Sequence, residues 1–139
     1  MKTHSLKTCD FGFHDITAQV TQDVRESGIS EGLCTVYCPH TTAAITINEN
    51  ADPDVQRDLQ LALGDIFGYR DRPEYRHFEG NSHAHLKSSV IGASEVIPIS
   101  EGKLALGTWQ GIYFCEFDGP RHRKFHVQLL ECLSGDAQR

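Results

Sequence analysis

No stretch of this sequence approaches the roughly 18 consecutive apolar residues of a membrane-spanning helix. Its opening, MKTHSLKTCDFGF, has no apolar segment of the kind a secretory signal carries. The expected setting is therefore the cytoplasm, with no membrane partner. Positive charge is also scarce: 13 Lys and Arg against 19 Asp and Glu give a net charge of −6. The longest basic run is RHRK at 121–124. Duplex nucleic acid needs a broad basic surface to neutralise its phosphates, so no nucleic-acid partner is expected, although a cluster this small can still hold one phosphate group. There is no CxxC pair, and the five cysteines (9, 34, 38, 115 and 132) are odd in number. Cys34 and Cys38 fall in LCTVYC, which reads as a strand, so buried reduced thiols are expected rather than disulfides or a zinc site. Linkers, low-complexity tracts and repeats are missing as well, which makes residues 1–139 a single domain long enough for one core.

What is present patterns as α+β. HDITAQVTQDVRESG places Ile16, Val20 and Val24 on one helical stripe, with Asp15 or Thr17 to cap its start and Gly28 to end it. Two β-rich runs, 33–38 and 43–48, are broken by Pro39, His40, Thr41 and Thr42. Asp52 and Pro53 are an N-cap and first-turn pair for a second helix, whose buried stripe is expected to be Val55, Leu59, Ala62, Leu63 and Ile66. YRDRPEYRHFEGN reads as a long surface loop of the sort that carries function. A short third helix over 83–91 rests on Leu86 and Val90, with Asn81 or Ser82 as cap and Gly92 as stop. Beyond it SEVIPIS, GKLALG, WQGIYFCEFD and RKFHVQLLECL read as strands, the last two joined into a hairpin by DGPR at 118–121.

Several polar residues invite a chemical reading. His40 sits between two strands, where a local hydrogen bond or a catalytic role are both open. Asn48, Glu49 and Asn50 precede a helix N-terminus, where backbone N–H groups favour anions, although a solvated cap region is the plainer alternative. His83 and His85 form an apparent HxH pair. On a helix, residues two apart point roughly 200° from one another, so the pair diverges and cannot easily share one metal. Zinc would need further ligands such as His40 and His77. Trp109 suits a core or an interface, whereas the neighbouring Gln110 would need partners if buried. DGPRHRK could hold an anion through Arg121 and Arg123, but a solvated turn is the reading its composition favours.

The segments PHTTAAITINENADPDVQRDL, EGNSHAHLKSSVIG and GTWQGIYFCEFDGPR occur in this order and resemble the YjbQ-like family, often labelled secondary thiamine-phosphate synthase. The resemblance runs from Asp15 to the last strand. It implies a YjbQ-like α+β fold with an antiparallel β-sandwich and two to three helices, assembled as a homotrimer. The motif residues that map here are His40, Thr41, Thr42, Asn48, Glu49, Asn50, His77, Asn81, His85, Lys87, Ser88, Ser89, Trp109, Gln110 and Glu116. Family members commonly carry Asp where this chain has His83. Exchanging a carboxylate for imidazole would shift a metal site from magnesium towards zinc, unless the position is simply tolerant.

Two functions follow from that resemblance. In the first, the protein is an enzyme acting on a phosphorylated small molecule by thiamine-phosphate synthase-type chemistry. His40, His85, Glu49 and Gln110 are then the catalytic candidates. Thr41, Asn48, Asn50, Asn81, Lys87, Ser88, Ser89 and Trp109 bind substrate, and His40, His77 and His85 hold a divalent metal, zinc or magnesium. In the second, the same polar cluster belongs to a trimer that binds a metal or ligand without turnover.

Overall fold

The structure, a computed structural model, describes residues 1–133. Residues 134–139, the end of the expected domain, lie outside the described residues. Eight strands and three helices follow in the order β1 (Lys2–Lys7), β2 (Gly12–Asp15), α1 (Thr17–Ser27), β3 (Gly32–Tyr37), β4 (Ala43–Glu49), α2 (Pro53–Phe67), α3 (Ser82–Ile91), β5 (Ser94–Ser100), β6 (Lys103–Leu104), β7 (Gln110–Glu116) and β8 (His122–Glu131). The fold is α+β, as the sequence indicates. All pairings are antiparallel, in a five-stranded sheet ordered β1-β8-β3-β5-β6 and a three-stranded sheet ordered β2-β7-β4.

Alternation along the strands decides which residues meet. Successive side chains of a strand point to opposite faces. On β4 and β7, Ile45, Ile112 and Phe114 therefore face the large sheet, where Val36, Ile97, Ile99, Phe125 and Val127 complete the main core. The residues between them, Ala44, Tyr113 and Cys115, face the other way into a second core with Ala84 of α3. Both sides of β7 are thus covered, which is why QGIYFCE reads as a nearly unbroken apolar run. Helix α1 adds Ile16, Val20 and Val24 to the main core, all three almost fully buried. Asp15 accepts the Thr17 N–H at 2.9 Å at its start, and Gly28 ends it at φ 70°, a conformation glycine adopts without a Cβ penalty.

Four expectations are corrected. DGPR does not close a hairpin: β7 belongs to the small sheet and β8 to the large one, so residues 118–121 carry the chain from one sheet to the other, with a cis Gly119–Pro120 bond. Strands β1 and β2 are additions to the expected elements; their polar, partly exposed residues give little apolar alternation to read. Helix α2 starts at the expected Asp52 cap, which accepts the Asp54 N–H at 2.9 Å, but its stripe is not a core stripe. Val55, Leu59 and Leu63 are half-buried and Ala62 and Ile66 exposed, because α3 lies along β4 and leaves α2 at the margin of the sheet. Helix α3 forms where expected, yet Leu86 and Val90 face outward while Ala84 and Lys87 are buried.

Candidate functional site

The break between β3 and β4 and the start of α3 face one another across a cleft. The cleft has two hollows, of about 730 and 400 Å³, and Pro39, His40, Thr41 and His85 line both. Both volumes fall in the range of small-molecule pockets, about 300–1,000 Å³. The larger hollow is completed by Tyr37, Cys38, Ser88, Ser89, Gly92 and Ala93. The smaller is completed by Thr42, His77, Glu79, Asn81, Arg121 and Arg123.

Each wall has a local cause. His40 is fixed by the Lys124 backbone N–H, which donates to its Nε2 at 3.0 Å and so leaves the ring proton on Nδ1. Burial, together with the Arg123 charge, holds His40 below the ordinary histidine value, so the ring is neutral near pH 7. His85 reaches the cleft from the first turn of α3, and His77 stands edge-on to it with ring centroids 5.6 Å apart. His77 in turn lies 3.8 Å from the Glu79 carboxylate. The long loop before α3 is anchored by Asp71, whose two oxygens accept the Ser82 and His83 N–H groups at 3.0 and 2.8 Å. Burial opposes ionisation of Asp71, but these bonds outweigh it and hold the carboxyl below its usual range. The cap of α3 thus comes from Asp71 rather than from Asn81 or Ser82.

Beneath the cleft, the buried Glu116 and Arg123 form an ion pair, Nε to Oε1 at 2.8 Å with a second contact from Nη2. Thr8 also donates to Glu116, and Arg123 Nη2 donates to Thr42 Oγ1 at 2.9 Å. Burial works against the Glu116 charge, but Arg123, Thr8 and the Asp118 N–H prevail and keep its carboxyl below the usual range. Arg121 is half-exposed and bonds Asp118 through Nε and Nη2 at 2.7 and 2.9 Å.

Of the candidates in the sequence, the structure brings together His40, Thr41, His77, Asn81, His85, Ser88 and Ser89. Lys87 is not among them. Its side chain is buried on the opposite face of α3, 4.8 Å from the Phe11 ring centroid, and donates to His83 Nδ1 at 3.3 Å. Burial lowers its pKa, as it does that of His83. His83 is therefore the partner of a buried lysine, at the place where an aspartate would make an ion pair, and it takes no part in the cleft. Ser88 and Ser89 donate their hydroxyl protons to the Ala43 and His85 carbonyls, at 2.7 and 2.9 Å.

Asn48, Glu49, Asn50, Trp109 and Gln110 also stay outside the cleft. They gather where β4 and β7 meet at Glu49 and Gln110, about 20 Å from Ala43 at the usual strand rise. There they serve local turns: Asn48 accepts the Glu49 N–H at 2.7 Å, Glu49 the Ala51 N–H at 3.1 Å, and Gln110 the Gly107 N–H at 2.8 Å. Gln110 and Trp109 are exposed, so neither is a core residue. His40, His77 and His85 share the smaller hollow. His40 offers a donor N–H where a ligand needs a lone pair, and among the described residues no three His, Cys, Asp or Glu converge to hold an ion. Cys34, Cys38 and Cys115 are buried free thiols, with Cys34 and Cys38 pushed up to about 11 by burial, while Cys9 and Cys132 are exposed. No described helix is long and apolar enough to cross a membrane.

Glu79, Arg121 and Arg123 complete the cleft; the sequence offers the two arginines as anion holders in DGPRHRK, with a solvated turn as the favoured reading, and does not offer Glu79. Glu79 opens the EGNSHAH motif and is within reach of sequence reasoning. The arginines are legible as an anion-holding pair but not as part of this cleft, because DGPR reads as a solvated hairpin, whereas the crossing between sheets folds Arg123 under the cleft.

Residues 2–132 match the family model described as UPF0047 protein YjbQ-like. The UPF0047 protein YugU of Bacillus subtilis is 51% identical over 131 residues, covering 94% of this chain and 98% of that protein. The UPF0047 protein MJ1081 of Methanocaldococcus jannaschii is 49% identical over 116 residues, covering 84% and 83%. A crystal structure of an uncharacterized conserved YjbQ/UPF0047 protein from Clostridium acetobutylicum superposes with a TM-score of 0.90 at 56% identity, over 94% of this chain and all of that one. A conserved hypothetical protein from Thermus thermophilus gives a TM-score of 0.86 at 41% identity, covering 94% and 100%.

Proposed function

This chain belongs to the UPF0047 YjbQ-like family, and on that premise we propose that it is an enzyme that binds a phosphorylated small molecule in the cleft between His40 and His85. The observation that carries the reading is that these two imidazoles line both hollows, with a third, His77, 5.6 Å from His85. An imidazole can accept a proton at one ring nitrogen and donate one from the other, which suits proton transfer at a bound ligand.

The reaction we assign is the thiamine-phosphate synthase type that the family resemblance implies. A thiazole phosphate nitrogen attacks the methylene of a pyrimidine diphosphate. The C–N bond forms, the C–O bond breaks, and pyrophosphate leaves with the bonding pair. Negative charge grows on the leaving oxygens, so fixed N–H donors beside them contribute most to the rate. His40, with its proton on Nδ1, is such a donor, and His85 passes a proton to the leaving pyrophosphate oxygen, since the thiazole nitrogen carries none to lose. Glu49 and Gln110 have no role within one chain in this scheme. The single chain's donor set does not fit zinc or magnesium, and no step is routed through a metal.

The test is product formation. With the two phosphorylated substrates supplied, the wild-type protein should release pyrophosphate, and His85→Ala should lose at least about 100-fold in rate, as expected when a proton-transfer group is removed. Its thermal unfolding should stay within a few degrees of wild type. Binding of both substrates without pyrophosphate release would instead support the ligand-binding trimer without turnover.

Assembly as a homotrimer belongs to the same proposal. What supports it is an apolar stripe on the outer face of the large sheet, where Leu33 pairs with Leu130 and Pro98, and Val96 pairs with Thr35. Leu33, Val96 and Leu130 are 39%, 55% and 64% exposed, in the middle of a sheet where polar residues would suit solvent. Light scattering should return three times the 15.5 kDa chain mass, falling to the chain mass in Leu130→Lys. A monomeric wild type would remove the trimer and leave the cleft reading intact.

A further inference from the structure

The two hollows differ in chemistry as well as in size. The larger, about 730 Å³, has no Lys, Arg, Asp or Glu in its lining among the described residues, and Tyr37 and Ala93 give it apolar walls. Its serines have no proton to give, since Ser88 and Ser89 already donate to backbone carbonyls. The smaller, about 400 Å³, holds the Glu79 carboxylate, which lies 3.8 Å from His77, together with both arginines. Their charges are matched by Asp118 and Glu116, yet each guanidinium has an Nη1 group that bonds nothing among the described residues. Arg123 is only 5% exposed, so the donors it has left are held rigidly and face little competing water. Between the hollows His40 presents Nδ1–H, likewise without an acceptor among the described residues.

A place with surplus N–H donors suits a group made only of acceptors, and a phosphoryl group is one. A wall without charge suits a flat, uncharged ring. We propose that the cleft binds its ligand in one orientation, with the phosphoryl group in the hollow of Arg121 and Arg123 and an uncharged aromatic ring in the hollow of Tyr37 and Ala93. The bond between the two parts then passes His40 and His85. This deepens the proposed function and rests on it. It places the phosphoryl group away from Lys87, Ser88 and Ser89, which are among the substrate-binding candidates in the sequence. Lys87 lies behind α3, and the serine hydroxyls are already engaged.

The experiment uses the full chain and two probes, inorganic phosphate and benzyl phosphate, with affinities measured by calorimetry. Wild type should bind benzyl phosphate at least tenfold more tightly than inorganic phosphate. Ala93→Phe, which fills the uncharged hollow at an exposed position, should abolish that preference while leaving inorganic phosphate unchanged. Arg121→Gln should weaken both probes at least fivefold and by the same factor. Ser89→Phe repeats the Ala93 arm from α3 and guards against a local misfolding effect. Equal binding of the two probes by wild type would overturn the orientation. So would loss of inorganic phosphate in Ala93→Phe with retention in Arg121→Gln, although phosphate would still bind in the cleft. Failure of wild type to bind either probe would overturn the proposed function along with the inference.

Discussion

His83 shows how a single residue can look chemical and act structurally. Its ring accepts from Lys87 one helical turn later, and the lysine is buried against Phe11 and Tyr69 with no carboxylate paired to it among the described residues. A buried ammonium without a counter-charge is costly, so a charged partner should be worth more than a neutral ring. His83→Asp is therefore expected to raise the melting temperature at pH 7 by a few degrees, as calorimetry would show. The pH dependence has a definite sign. His83, His40 and His14 all have folded-state values lowered from 6.5, chiefly by burial. The unfolded chain then binds protons more readily than the folded one. Their contribution to stability is full above about pH 6.5 and is lost as pH falls through the window below it. The wild-type melting temperature should drop between pH 7 and 5, and His83→Asp should drop less. A steeper decline in the variant would refute the assignment. The HxH spelling cannot reveal this, because the identity of a lysine's partner depends on which helix face is buried.

At the scale of elements, the helices are legible in the sequence and their orientations are not. Asp52 and Pro53 mark α2, and Gly28 and Gly92 end α1 and α3, because caps and stops are local chemistry. Which stripe faces the core is a tertiary matter. The Leu86–Val90 spacing locates α3 correctly while pointing to its exposed side, since the helix turns Ala84 and Ile91 to the second core and bonds Ser88 to the Ala43 carbonyl. The cap of α3 comes from Asp71, which lies in the preceding loop. Asp71→Ala should lower the melting temperature by a few degrees and raise amide exchange at Ser82 and His83. It should also broaden the His77 imidazole signals, because the loop carrying His77 is tied down at that cap. Unchanged exchange at both amides would show that the helix start is held some other way.

The whole molecule depends on where the chain crosses between its sheets. Glu116 ends β7 in the small sheet, Arg123 is the second residue of β8 in the large one, and their buried pair fastens the two beneath the cleft. Removing one partner of a buried pair leaves an unmatched charge and costs about 3–5 kcal/mol. Glu116→Gln should be destabilised to about that extent in urea titrations, and Arg123→Met similarly. The double variant should lose less than the sum, since it leaves no unmatched charge. Additive losses would mean that the two residues act separately. Strands on both sides of DGPR are legible in the sequence but not their division between sheets, because alternation reports a strand's faces and not its partners. That one missing fact hides Arg123 from the cleft. It also leaves Glu49 and Gln110 among the cleft candidates, although they pair at the end of β4 and the start of β7, far from the cleft.

A phosphorylated ligand that meets the His40 and His85 imidazoles should be visible at those rings. The decisive experiment is a titration of 15N-histidine-labelled protein with benzyl phosphate, following the ring resonances of all eight histidines. His40, His77 and His85 are expected to shift together and saturate with one affinity, while His83 and His4 stay in place. Shifts confined to histidines outside the cleft, or none at saturating ligand, would mean that the cleft is not the binding site.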